Sequence, residues 1–140
     1  MKKVITPTLP TLLVLLTGCF KTETKDPGKA FTYWYGSEPP AHIEMIRGQY
    51  FQSPHFTLEY EVFLKFRTNN KWFNGFAEYR KLEIDTVKND WTRWTELPRW
   101  FKPDQTFLIY AKDPKNEFET SRYFFNPDSG ICYIFETAGM

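Results

Sequence analysis

The chain has 140 residues, a formal net charge of +1, two cysteines and 19% aromatic residues. So even a balance carries none of the basic excess that nucleic acid or electrostatic membrane binding requires, and two cysteines cannot make a disulfide scaffold. All of the 14 Phe, 8 Tyr and 5 Trp fall after residue 18, where only 13 Ile, Leu and Val are found, so the core must be built largely from rings. Rings favour strands, and the polar tips of Tyr and Trp need partners when buried.

Chain order begins with Lys2 and Lys3, then an apolar run over residues 9–16, ending in Leu16-Thr17-Gly18-Cys19. A short cationic start, a short apolar core and small residues at a cut site are what export and signal cleavage use. The run is too short to span a bilayer, which takes about 20 residues. Pro7 and Pro10 sit near its start, where a helix tolerates proline. A buried N-terminal helix is the competing reading, and it would have to begin on two lysines and end at Gly-Cys. The segment resembles the lipobox of bacterial lipoprotein signal peptides. That resemblance implies cleavage before Cys19, a diacylglyceryl group on its thiol and an acyl chain on the freed amine. Two or three chains would anchor it almost permanently. Phe20, where an aspartate would favour inner-membrane retention, implies the outer membrane if the host has two.

Without residues 1–18, 16 basic side chains face 17 acidic ones, and 122 residues suffice for one domain. The expected organisation is a signal peptide over 1–18, a lipidated cysteine and flexible tether over 19–30, and one domain over 31–140. The polar composition and Pro27-Gly28 suggest the tether, averaging about 18 Å end to end. Ser37-Glu38-Pro39-Pro40 reads as a turn or helix start. Residues 43–51 read as a strand, with a short helix closed by Gly48 as the alternative. Residues 56–67 alternate strictly, placing Phe56, Leu58, Tyr60, Val62, Leu64 and Phe66 toward a core and leaving the opposite face mostly wet.

Asn69 and Asn70 can cap a helix running to about residue 81, with Trp72, Phe73, Phe76 and Ala77 on one face. Residues 85–105 look irregular, with Asp90 capping a turn that carries Trp91 and Trp94. Residues 106–111, apolar on both sides, suit a central strand. Residues 118–125 and 131–136 form a hairpin around Pro127 and Gly130. The expected fold is α+β: an antiparallel sheet of four to six strands with one helix packed on a face.

Chemistry is sparse. His42 and His55 lack further ligands at metal spacing, so no metal and no cofactor is expected. Ser37, Ser53, Ser121 and Ser129 lack a nucleophile context. Cys132, within an apolar run, reads as a small core residue. Glu59 with Glu61, and Glu117 with Glu119, are carboxylate pairs two apart on strands, the arrangement a glycosidase could use. Lys65 and Arg67 continue the first face, as on a solvated sheet. No catalytic residue is assigned.

The candidate partner-binding residues are Trp91, Arg93, Trp94, Arg99, Trp100 and Phe101, because large rings beside arginines make hot spots and stack on sugars. They can equally plug one end of a ring-built core. The leading functional expectation is a non-catalytic, lipid-anchored binding module of the cell envelope. Its partners would be the membrane, through the anchor, and an envelope protein or glycan, with no nucleic acid. One alternative is an immunity or inhibitor lipoprotein against a toxin or cell-wall hydrolase, presenting residues 89–103 as a protruding loop. The other is a carboxylate-pair glycosidase.

Overall fold

The computed structural model describes residues 21–54 and 59–138. The signal segment, Cys19 and His55 lie outside the described residues. The elements run β1 (Thr22–Thr24), α1 (Pro27–Tyr35), β2 (Glu44–Gln52), β3 (Tyr60–Arg67), α2 (Asn70–Tyr79), β4 (Glu83–Ile84), β5 (Leu108–Ala111), β6 (Arg122–Phe125) and β7 (Ile131–Ala138). The strands form one antiparallel sheet in the order β1-β2-β3-β7-β6-β5-β4. The α+β class stands, with seven strands in place of four to six and two helices in place of one.

The second helix comes from the segment read as tether. Asp26 caps α1 by accepting from the Lys29 amide at 2.8 Å, Pro27 occupies the first turn, and Gly36 closes the helix at φ 86°. Ala30, Phe31 and Trp34 recur at helical spacing and are buried. Ahead of it, β1 extends the sheet by pairing Thr22–Thr24 with residues 50–52. Residues 22–24 and 27–30 of the segment expected as a tether are therefore strand and helix. Asp26, Pro27 and Gly28 give this stretch the composition of a linker although it starts a helix.

The strand expected over residues 43–51 is β2, Glu44–Gln52. A Cβ on Gly48 would lie 2.9 Å from the Pro27 Cα, so glycine there lets α1 cross the strand closely. The helix capped by Asn69, whose Oδ1 accepts from the Trp72 amide at 2.8 Å, also stands as read. Residues 106–111 give only β5, beside the two-residue edge strand β4 rather than at the centre. The central pair is β3 with β7, matched over eight residues from Tyr60↔Ala138 to Arg67↔Ile131.

Both faces of that pair are covered. On one, Val62, Leu64, Phe66, Cys132 and Ile134 pack under α1 and α2 with Phe31, Trp34, Phe73 and Phe76. Cys132 is a buried free thiol there, as expected. On the other, Phe63 and Phe135 stack at 4.8 Å and join Tyr133, Phe124 and Phe101. The expected wet face of β3 is thus a second ring cluster, because residues 91–107 fold back across it without regular structure. The cover is fastened at one end by a fully buried ion pair. Arg122 Nε donates to Asp85 Oδ2 at 3.1 Å, and its Nη1 donates to the carbonyls of Glu119 and Ser121. Asp85 Oδ1 in turn accepts from the amides of Val87 and Lys88.

Two predictions follow from this packing. Asp85→Ala leaves a buried guanidinium uncompensated and should cost about 3–5 kcal/mol in urea denaturation, whereas an exposed pair such as Arg67 with Glu44 should cost under about 1 kcal/mol. Gly36 and Gly130 both have positive φ, but a Cβ on Gly130 would lie 2.4 Å from the Thr68 carbonyl oxygen while one on Gly36 meets nothing. Gly130→Ala should therefore destabilise clearly more than Gly36→Ala, whose cost is about 1–2 kcal/mol.

Candidate functional site

The six residues singled out in the tryptophan-rich segment separate in space. Phe101 is 3% exposed and sits at the centre of the second ring cluster. Trp91 packs against Phe101, Phe124 and Phe135, and Trp100 packs against Phe101. Their rings serve the core. Trp94 alone of the three tryptophans stands out, 64% exposed, with the Arg93 guanidinium 5.9 Å from its ring, and Arg99 is exposed. A single exposed ring is ordinary on a protein surface. Asp90 does cap the turn, accepting from the Thr92 amide at 3.1 Å.

The carboxylate pairs also part company. Glu117 and Glu119 lie in turns ahead of β6, not on a strand, and Glu119 accepts from the Ser121 amide. Glu59 and Glu61 border a shallow depression of about 280 Å³ with Phe51, Ser53 and Tyr60. Glu61 is partly buried and accepts from Thr95 Oγ1 at 2.9 Å, so a residue of the cover closes over the carboxylate. Burial raises its pKa above the ordinary value, more than the Thr95 hydrogen bond lowers it.

A buried carboxylate went unforeseen. Glu136, at the end of β7, accepts hydrogen bonds from the hydroxyls of Tyr60 and Tyr123 and lies 3.4 Å from Arg80 Nη2. Burial first, and the Glu136 carboxylate with it, push both phenols well above their usual range, so they remain protonated donors. Nothing in a one-dimensional reading joins Tyr60, Arg80, Tyr123 and Glu136. Only strand register and the return of α2 bring them together.

Arg80 also borders a groove of about 1070 Å³ alongside α2. Trp72, Gly75, Phe76 and Tyr79 fall at i, i+3, i+4 and i+7 and line it as one helix face, joined by Tyr35, His42, Asn69, Lys71 and Arg80. Trp72 and Phe76 stack at 5.3 Å, Tyr35 lies 6.1 Å from Trp72, and Tyr79 is 85% exposed. Arg80 spreads over the rings of Trp34 and Phe76. No carboxylate is among the lining residues. Periodicity identified Trp72 and Phe76 as core positions, and they are so in part, but their outer edges form the groove.

Gly75 is the informative position. Glycine within a helix costs about 1 kcal/mol relative to alanine, and a Cβ here would meet nothing within 4 Å. Internal packing does not require it, whereas the groove is widened by it. His42 is exposed, and its Nε2 lies 3.5 Å from Thr68 Oγ1. Among the described residues no group of three or more His, Cys, Asp or Glu could hold a metal ion, and no helix is long and apolar enough to cross a membrane.

Glu61 provides a pH test. Because its pKa is higher folded than unfolded, its effect favours the fold at low pH, and stability falls as pH rises from about 4.5 through the folded value. Glu61→Gln keeps an acceptor for Thr95 without the charge. It should raise Tm by about 1–3 °C near neutral pH, with the difference vanishing at pH 3–4 in a pH series of thermal melts. Scans of protein families and searches of curated proteins and solved structures return no match to this chain.

Proposed function

We propose that this chain is a non-catalytic, lipid-anchored binding protein of the bacterial envelope, held at the membrane through Cys19 and receiving its ligand in the groove along α2. The export signature over residues 2–19 supports the location. The groove carries the binding role: it is open, lined by rings and donors, and shaped partly by a glycine that packing does not need. A concave surface of this kind, rich in aromatic groups with a few polar ones, is where small ligands and chain segments bind.

The short distance from anchor to fold adds a constraint. Cys19 precedes Thr22, the first residue of β1, by three positions, and three residues span at most about 10 Å. The lipidated end and the edge strand are then neighbours, so the body rests close to the bilayer instead of sampling the volume a long tether allows. A soluble ligand in bulk suits such a placement less well than one displayed at the membrane or wall.

Two measurements test this reading. Cys19→Ser should move the protein from the membrane pellet to the soluble fraction, and mass spectrometry should find acyl chains on the parent. A photoreactive side chain at Tyr79 should capture envelope material in intact cells, while the same group at Trp94 should not. Capture at Trp94 alone would favour an inhibitor that works through residues 89–103.

A further inference from the structure

We infer that the groove along α2 takes a carboxylate-bearing saccharide, a choice of ligand class that rests on the binding role proposed above. The ring faces come first. Trp72 and Tyr79 are seven residues apart on one helix face, about 10 Å along the axis, with Gly75 and Phe76 between them. The exposed Tyr79 ring and the outer edge of the Trp72–Phe76 stack give apolar ring surface at two points along the helix, which fits a ligand that repeats apolar ring faces along its length, as linked pyranoses do. A continuous acyl chain calls for an enclosed apolar tunnel, and this groove is open.

Charge and hydrogen-bonding capacity then narrow the class. The lining offers the Lys71 ammonium, the Arg80 guanidinium, the Asn69 amide and the Tyr35 and Tyr79 hydroxyls, and no carboxylate. Glu136 beneath Arg80 already offsets that guanidinium. Lys71 has no such partner among the described residues, which leaves a net positive edge. Many donors, no acidic acceptor and one uncompensated cation favour an oxygen-rich anion. Asn69 Oδ1 is occupied by the Trp72 amide, so its NH2 group is the part that faces a ligand.

Lys71 and Tyr79 are exposed and Gly75 packs against nothing, so substitutions there can change the groove while the fold persists. The probes are oligosaccharides of galacturonate, mannuronate and glucuronate together with their methyl esters, which keep the rings and remove the charge. They would be titrated calorimetrically into the full chain in detergent. At least one acid should bind about tenfold tighter than its ester. Lys71→Glu should abolish that preference, and Tyr79→Ala should weaken acid and ester alike by about fivefold or more. Gly75→Ala should raise Tm by about 4 °C yet weaken binding, a combination that a purely structural glycine would not produce.

Equal binding of acid and ester, or a preference unaffected by Lys71→Glu, would overturn the acidic class while leaving the groove as a binding site. No binding by any of the acids at millimolar concentration would overturn the saccharide inference. The fractionation and crosslinking measurements would still decide location and binding role separately, and capture of protein alone at Tyr79 would also count against a saccharide.

Discussion

The pairing of β3 with β7 is the constraint on which the rest of the molecule depends. These two strands run through the middle of the sheet, and their side chains alternate between two faces that must both be kept from water. One face is covered by the amphipathic helices α1 and α2. The other is covered by chain without regular structure, which succeeds because Trp91, Trp100, Phe101 and Phe107 supply large area from few residues. A core with so few aliphatic side chains is possible because rings from strand and cover meet edge to face, as Phe63 and Phe101 do at 5.4 Å.

Polar groups at the margins hold the two covers in register with the sheet. Arg122 and Asp85 fasten the irregular segment at one end, with both Asp85 carboxylate oxygens engaged and Arg122 Nη2 left buried without a hydrogen-bond partner. Glu136 does the corresponding work under the helices, tying β3, β6 and the end of α2 to β7 through Tyr60, Tyr123 and Arg80. Such networks are costly when incomplete and specify one arrangement when satisfied. Arg80, which this network holds at the end of α2, is the one member that also lines the groove.

Elements with a strong local signal were legible before any coordinates: the alternation of β3, the Asn69 cap and apolar face of α2, the hairpin at Gly130, and the buried Cys132. What was not legible depended on context. Helix α1 was hidden in a polar stretch because its cap, proline and glycine look like a linker until Phe31 and Trp34 are seen to face a sheet. The second face of β3 looked wet because Glu61, Lys65 and Arg67 surround Phe63, and only the long-range return of residues 91–107 buries that ring. The same return explains the divided fate of the tryptophan-rich segment, whose rings were visible but whose direction was not. The groove was missed because its lining comes from α1, the turn at His42 and α2, three elements with no common motif.

The central claim is that residues 91–107 act as a cover for the β3–β7 pair and not as a free binding loop. Urea denaturation of Phe101→Ala measures this most directly, because Phe101 touches Phe63, Phe124 and Tyr133 across the sheet. Loss of about 3–5 kcal/mol in unfolding free energy is the expected result. A change below about 1 kcal/mol would mean that the ring contributes little to the fold, and would contradict the two-sided core.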